Sequence, residues 1–159
     1  MPVIRGNTGG GKPIIRVALL PVLPKLESVG ATAAAAELQI LECRGLLDTG
    51  ADGTSVCRSV ALAAGLRSYG KRPVVGVGGL AYHRTWGAYL GFFTDAADEG
   101  VSSLIAGSRA PHVLGEPLLA IEIPDNLGFE VIIGRDILGL GTFTIRRGGD
   151  FELHLPDGD

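Results

Sequence analysis

The residues best suited to chemistry lie in Leu46-Leu47-Asp48-Thr49-Gly50-Ala51-Asp52-Gly53-Thr54-Ser55-Val56. Two leucines deliver a carboxylate to the end of a buried strand. A small hydroxyl residue and a glycine follow, so the chain can turn sharply while Asp48 faces a cleft. Asp, Thr and Gly also populate ordinary solvated turns, and the tripeptide alone leaves both a structural and a catalytic reading open. The chemistry such a carboxylate suits is general acid–base work, above all when a second carboxylate shares its proton.

Other reactive side chains offer less. His83, His112 and His154 are widely spaced and show no H-E-x-x-H or paired-ligand arrangement, so neither a metal site nor a cofactor is expected. No G-x-S-x-G is present. Cys43 and Cys57 lack C-x-x-C spacing and read as small buried hydrophobes of a reducing compartment. Cys57 has no adjacent His to activate it as a nucleophile. Trp86 and Phe92-Phe93 read as core or pocket wall. Gly76-Val77-Gly78-Gly79-Leu80-Ala81 fits G-x-G-x-x-A, and Asp95 follows about 20 residues on, as a dinucleotide site requires. That mechanism needs a helix to start there. Tyr82-His83-Arg84-Thr85-Trp86-Gly87-Ala88-Tyr89 is instead rich in β-formers, which favours a returning strand over a nucleotide loop.

Three segments together resemble the retropepsins, the retroviral-type aspartic proteases. Leu46-Leu47-Asp48-Thr49-Gly50-Ala51 is similar to their active-site loop. Pro73-Val74-Val75-Gly76-Val77-Gly78-Gly79-Leu80-Ala81 resembles their glycine-rich flap. Val131-Ile132-Ile133-Gly134-Arg135-Asp136-Ile137-Leu138 resembles their apolar-apolar-Gly segment, with its Arg and short helix. All three occur in the family's order and span most of the chain.

The resemblance implies an aspartic endopeptidase whose catalytic residues are Asp48, Thr49 and Gly50, with Ala51, Asp52, Gly76, Val77, Gly78 and Gly79 contacting a peptide or protein substrate. Such enzymes need two close aspartates, one ionised and one protonated. This chain contains Asp-Thr-Gly once and is too short for a second lobe. The implied enzyme is therefore an isologous homodimer in which each protomer gives Asp48. By the same resemblance Thr49 bonds across the interface, Gly50 lets the backbones approach, and Asp52 pairs with Arg135 beneath the loop. Arg135→Ala is then expected to weaken assembly more than pocket chemistry. Gly53 stands where the viral family usually has a second acidic or small polar residue. The alternative is a catalytically weak or inactive retropepsin-like module that dimerises or binds peptides.

The elements around these residues are mostly short strands. Residues 1–12 read as a flexible tail and 13–159 as one domain. Strands are expected over 13–23 (broken near Pro21), from about 34 to 43, over 118–123 and over 129–133. A flap hairpin is expected over about 73–86, and a C-terminal hairpin over about 142–155 must supply the dimer interface. Residues 58–64 have helical character, with Gly65 placed as the C′ residue, and 134–140 suit a second short helix. Residues 95–117 show little pattern and read as a surface loop or insertion. The fold class is all-β: a small closed or partly open barrel of the acid protease type, one lobe per chain, with one or two short helices.

Composition bounds these readings. With 159 residues, 46% hydrophobic and 19% charged, the chain is of single-domain size and too apolar for disorder. Its 25 glycines are about twice the average usage of about 7%, without a collagen period. The net charge is −3 and no basic run exceeds two residues, so no nucleic-acid partner is expected. No stretch approaches the roughly 20 apolar residues of a membrane span, and the start lacks a signal-peptide core. These features lead to the expectation of a cytoplasmic protein without a membrane partner.

Overall fold

Alternating apolar residues build the strands that carry the core. In the computed structural model, which describes residues 1–22, 40–94 and 110–157, β2 (Ile14–Pro21) buries Ile15, Val17 and Leu19 on one face. The numbering begins with β1 (Val3–Asn7). It continues through β3 (Leu41–Leu47), β4 (Ser55–Cys57), β5 (Arg67–Gly76), β6 (Gly79–Phe92) and β7 (His112–Val113). The last strands are β8 (Leu118–Ile123), β9 (Val131–Ile133), β10 (Thr142–Ile145) and β11 (Asp150–His154). Two short helices are described, α1 (Arg58–Ala63) and α2 (Arg135–Leu138). The protein is all-β.

The larger sheet runs β2-β3-β9-β4-β8-β6-β5, with β7 added on β6. β2 also pairs with β6, from Val17↔Phe92 to Pro21↔Ala88, so the sheet curls back on itself. Two pairings are parallel, β3 with β9 and β4 with β8. The smaller sheet has the order β1-β11-β10. Its Ile4, Phe151 and Leu153, with the adjoining Leu155, join Val17, Leu90, Phe92, Val131 and Ile133 in one buried cluster. Both sheets therefore share a core, and hydrophobic burial supplies the main cohesion.

Several boundaries differ from expectation. Residues 1–12 are not a loose tail: β1 pairs with β11 from Val3↔His154 to Asn7↔Asp150, and Val3 and Ile4 are buried. The apolar pair at positions 3 and 4 gains a core here, which outweighs the polar, glycine-rich surroundings. The segment expected as a loop over 95–117 contains β7, paired with β6 through Gly91↔Val113 and Phe92↔His112, and buries Leu114. Its remaining residues 95–109 lie outside the described residues, as do 34–39 of the expected strand before Leu41. The hairpin of β5 and β6 is longer than 73–86, because Arg67 to Arg72 pair despite a register shift between Ser68 and Lys71.

Other elements lie close to where the sequence put them. β8 covers 118–123. Ala64 caps the C-terminus of α1, and Gly65 follows with φ +69°, a conformation that glycine adopts without steric cost. Among the described residues, no helix is long and apolar enough to cross a membrane.

Candidate active site

The Asp48 loop leaves β3 at Leu47, which is buried and donates its N–H to the Pro13 carbonyl at 3.0 Å. The next N–H, from Asp48, goes to the Ile133 carbonyl at 3.0 Å, continuing the β3–β9 pairing into the loop. Asp48 itself is half-buried, while Thr49 and Gly50 are exposed. The Gly50 N–H donates to Asp48 Oδ1 at 2.8 Å, an Asx-type closure that fixes the carboxylate within its own turn. Ala51 N–H returns to the Asp48 carbonyl at 3.3 Å.

The far side of the loop rests on the start of α2. Arg135 N–H donates to the Ala51 carbonyl at 2.8 Å and Asp136 N–H to the Asp52 carbonyl at 3.2 Å. Gly134 makes this approach possible. A Cβ there would lie 2.6 Å from both C and O of Gly53 and 2.9 Å from the Ala51 oxygen, which no side chain tolerates.

Beneath these contacts is a buried link that the sequence reading missed. Thr54 is 2% exposed. Its Oγ1 donates to Asp136 Oδ1 at 2.8 Å and its N–H to Asp136 Oδ2 at 3.0 Å, while Gly134 N–H donates to Thr54 Oγ1 at 3.2 Å. Asp136 Oδ1 also accepts the Ile137 N–H at 2.9 Å. The signal was available in part: a lone Thr opens an apolar strand, and a carboxylate occupies the first turn of a short helix.

Asp52 and Arg135 do form an ion pair, through Asp52 Oδ1 and Arg135 Nη2. The pair sits on the outside of the loop, with side chains 89% and 59% exposed, rather than beneath it. Solvent screens an exposed pair, so little stability follows from it. The buried role belongs to Thr54 and Asp136.

The expected flap is the tip of the β5–β6 hairpin, where Gly76 pairs with Gly79 across Val77-Gly78. Val75, Val77, Leu80 and Tyr82 point large apolar side chains into solvent. Among the described residues, no hydrogen bond joins this tip to the Asp48 loop. The structure thus brings Asp48, Thr49, Gly50, Ala51 and Asp52 together on Gly134–Asp136, and leaves Gly76, Val77, Gly78 and Gly79 on a separate projecting hairpin.

The remaining candidates stay apart. His83, His112 and His154 lie on three different strands, β6, β7 and β11. Among the described residues, no three His, Cys, Asp or Glu side chains converge as a metal cluster. Cys43 and Cys57 are free and buried. Burial, with Glu130 nearby, pushes the Cys43 thiol up to about 12, and burial also raises that of Cys57. Neither supplies a thiolate near neutral pH. No family model matches this chain, and no curated protein matches it either.

Proposed function

We propose that the chain is one protomer of a retropepsin-like aspartic endopeptidase, active as a homodimer. The observation that carries this reading is the seating of Asp48. Its carboxylate is gripped by the Gly50 N–H, and its loop is fastened to Gly134, Arg135 and Asp136. A turn built only for solvent would not need that support.

Each protomer supplies one such carboxylate, so two copies meet to form the dyad. Like charges at that range cannot both ionise, and the pair holds one proton between them. The ionised member takes a proton from a bridging water as it attacks the scissile carbonyl. The protonated member donates to the carbonyl oxygen, so no covalent intermediate forms. Activity is then greatest at acidic to mildly acidic pH. The two β5–β6 hairpins serve as flaps over an extended peptide, and their exposed apolar side chains suit such a cover.

The test is cleavage of a peptide library by the purified chain and by Asp48→Asn, with solution mass measured alongside. The expected result is a dimer whose peptidase activity disappears in the variant. Full activity in Asp48→Asn, or a strictly monomeric active chain, overturns the proposal. Peptide capture without cleavage between about pH 4 and 7 indicates the non-catalytic module instead.

A further inference from the structure

The charge of this chain is segregated. Residues 53–94 contain five of the fourteen Lys and Arg residues and none of the seventeen Asp and Glu residues. The rest of the chain therefore carries nine cations against seventeen carboxylates. Four of the five cations, Arg67, Lys71, Arg72 and Arg84, lie on the β5–β6 hairpin, together with His83.

The strand register concentrates them further. Lys71 stands directly opposite Arg84, and Arg72 directly opposite His83. The like charges of Lys71 and Arg84 in that position oppose hairpin formation. Among the described residues, no salt bridge relieves Lys71, Arg72 or Arg84. The Arg84 guanidinium lies 5.8 Å from the Trp86 ring centroid, and the Trp86 Nε1–H takes up Glu122 Oε1 at 3.2 Å. A cross-strand cationic pair without a carboxylate destabilises the free protein and becomes favourable when an anion bridges it.

Side-chain alternation assigns the face. Lys71, Pro73 and Val75 on β5 share one side of the hairpin with Leu80, Tyr82 and Arg84 on β6, by the pairings Lys71↔Arg84, Pro73↔Tyr82 and Val75↔Leu80. Along β6 this side continues into Trp86, Ala88 and Leu90, which are buried in the core. It is therefore the inward-looking side of the hairpin where the hairpin projects past the core. Apolar Val75, Leu80 and Tyr82 are exposed there beside the Lys71–Arg84 pair.

We infer that this face selects acidic peptides, with an apolar residue against Val75, Leu80 and Tyr82 and a neighbouring Asp or Glu between Lys71 and Arg84. The inference rests on the reading of this hairpin as the flap of a peptidase. A peptide fits better than a nucleic acid, because each face carries a single cross-strand basic pair, with only Arg67 besides, and the rest of the chain is net acidic, which repels a polyanion. The carboxylate gains charge-assisted bonds that Arg and Lys can both donate.

The experiment compares two labelled peptides with the same apolar segment, one flanked by Glu and the other by Gln. Wild-type protein is expected to favour the Glu peptide in kcat/KM by about tenfold at low ionic strength, and molar salt is expected to erase the preference. The double variant Lys71→Gln/Arg84→Gln brings the ratio to near one, while Lys71→Arg keeps it. Fluorescence anisotropy on Asp48→Asn reads the same preference as binding without chemistry. Equal cleavage of both peptides overturns the acidic preference and leaves the peptidase reading intact. Selective binding of the Glu peptide without any cleavage by wild type does the reverse. Equal or absent binding, a preference that survives in the double variant, or tighter binding of a single-stranded oligonucleotide than of the Glu peptide overturns the inference.

Discussion

Thr54 and Asp136 are joined twice, by hydroxyl to Oδ1 at 2.8 Å and by backbone N–H to Oδ2 at 3.0 Å. They stand 82 positions apart. The link holds the Asp48 loop against α2 from below, and Thr54 is almost wholly buried. Replacing the hydroxyl by a methyl of the same shape therefore strands the Gly134 N–H and leaves Asp136 Oδ1 with the Ile137 N–H alone. Thr54→Val is expected to destabilise the fold by about 1–3 kcal/mol, the cost of leaving a buried polar group unmet. Thr54→Ser, which keeps the hydroxyl, is expected to lose much less. Urea unfolding of the three proteins decides this. Equal midpoints for Val and wild type would remove the link from the account.

Arg135→Ala is expected to behave differently. Its partner Asp52 is 89% exposed, and a solvent-screened pair contributes little. The unfolding midpoint of a dilute sample should stay at the wild-type value. On the proposed homodimer, any effect is expected in assembly, read as a shift in the sedimentation monomer–dimer equilibrium. A large drop in the midpoint with no change in assembly contradicts this assignment.

Ile4 is 5% exposed and packs in the common core through β1. Truncation to alanine is expected to cost about 2–5 kcal/mol, as for other buried aliphatics. Thermal unfolding measures it. A loose tail at this position would give no change at all.

Cys43 supplies a prediction about alkaline stability. Its folded pKa is pushed up to about 12, chiefly by burial and then by Glu130, against an ordinary thiol value of 9.0. Between those values the unfolded chain releases the thiol proton and the folded chain keeps it. The contribution is fully present below about 9 and is lost as pH rises towards 12. The slope approaches about 1.4 kcal/mol per pH unit inside that window. Unfolding curves from pH 8 upward are expected to steepen for wild type and flatten for Cys43→Ala. Identical pH profiles would show that this thiol does not titrate differently on folding.

Local pattern made a good part of the fold legible. β8 was marked by alternation and stopped by Pro124-Asp125-Asn126, and α1 by its helical character and by Gly65. Where pairing partners lie far apart, local pattern had nothing to read. β1 gains its strand character from β11, with Val3 opposite His154. β7 is only two residues long and exists because Gly91 and Phe92 offer it an edge. Arg67 to Arg72 lack alternation and pair only because β6 continues opposite them.

The candidate site was legible to the same degree. Asp48, Gly50 and Gly134 could be picked out because turns and close approaches need particular residue types. The exposure of Asp52–Arg135 and the buried Thr54–Asp136 link depend on how the loop and helix dock, and no short stretch encodes that. Part of the glycine excess also acquires a use through docking. A Cβ on Gly6 would run into the Phe151 ring, and one on Gly141 into the His154 carbonyl oxygen.

The fastening of residues 48–54 by Gly134, Arg135 and Asp136 has a consequence in time. On a ribosome adding about 5–20 residues per second, Asp48 is made well before the segment that seats its loop. β1 waits longer still, because its partner β11 is the last strand described. Pairings this distant in sequence form slowly. A nascent chain thus displays the Asp-Thr-Gly turn for seconds without its support, and the loop is seated only after the strands between have been made. Assembly order alone leaves the Asp48 carboxylate unseated while the chain that carries it is still unfolded.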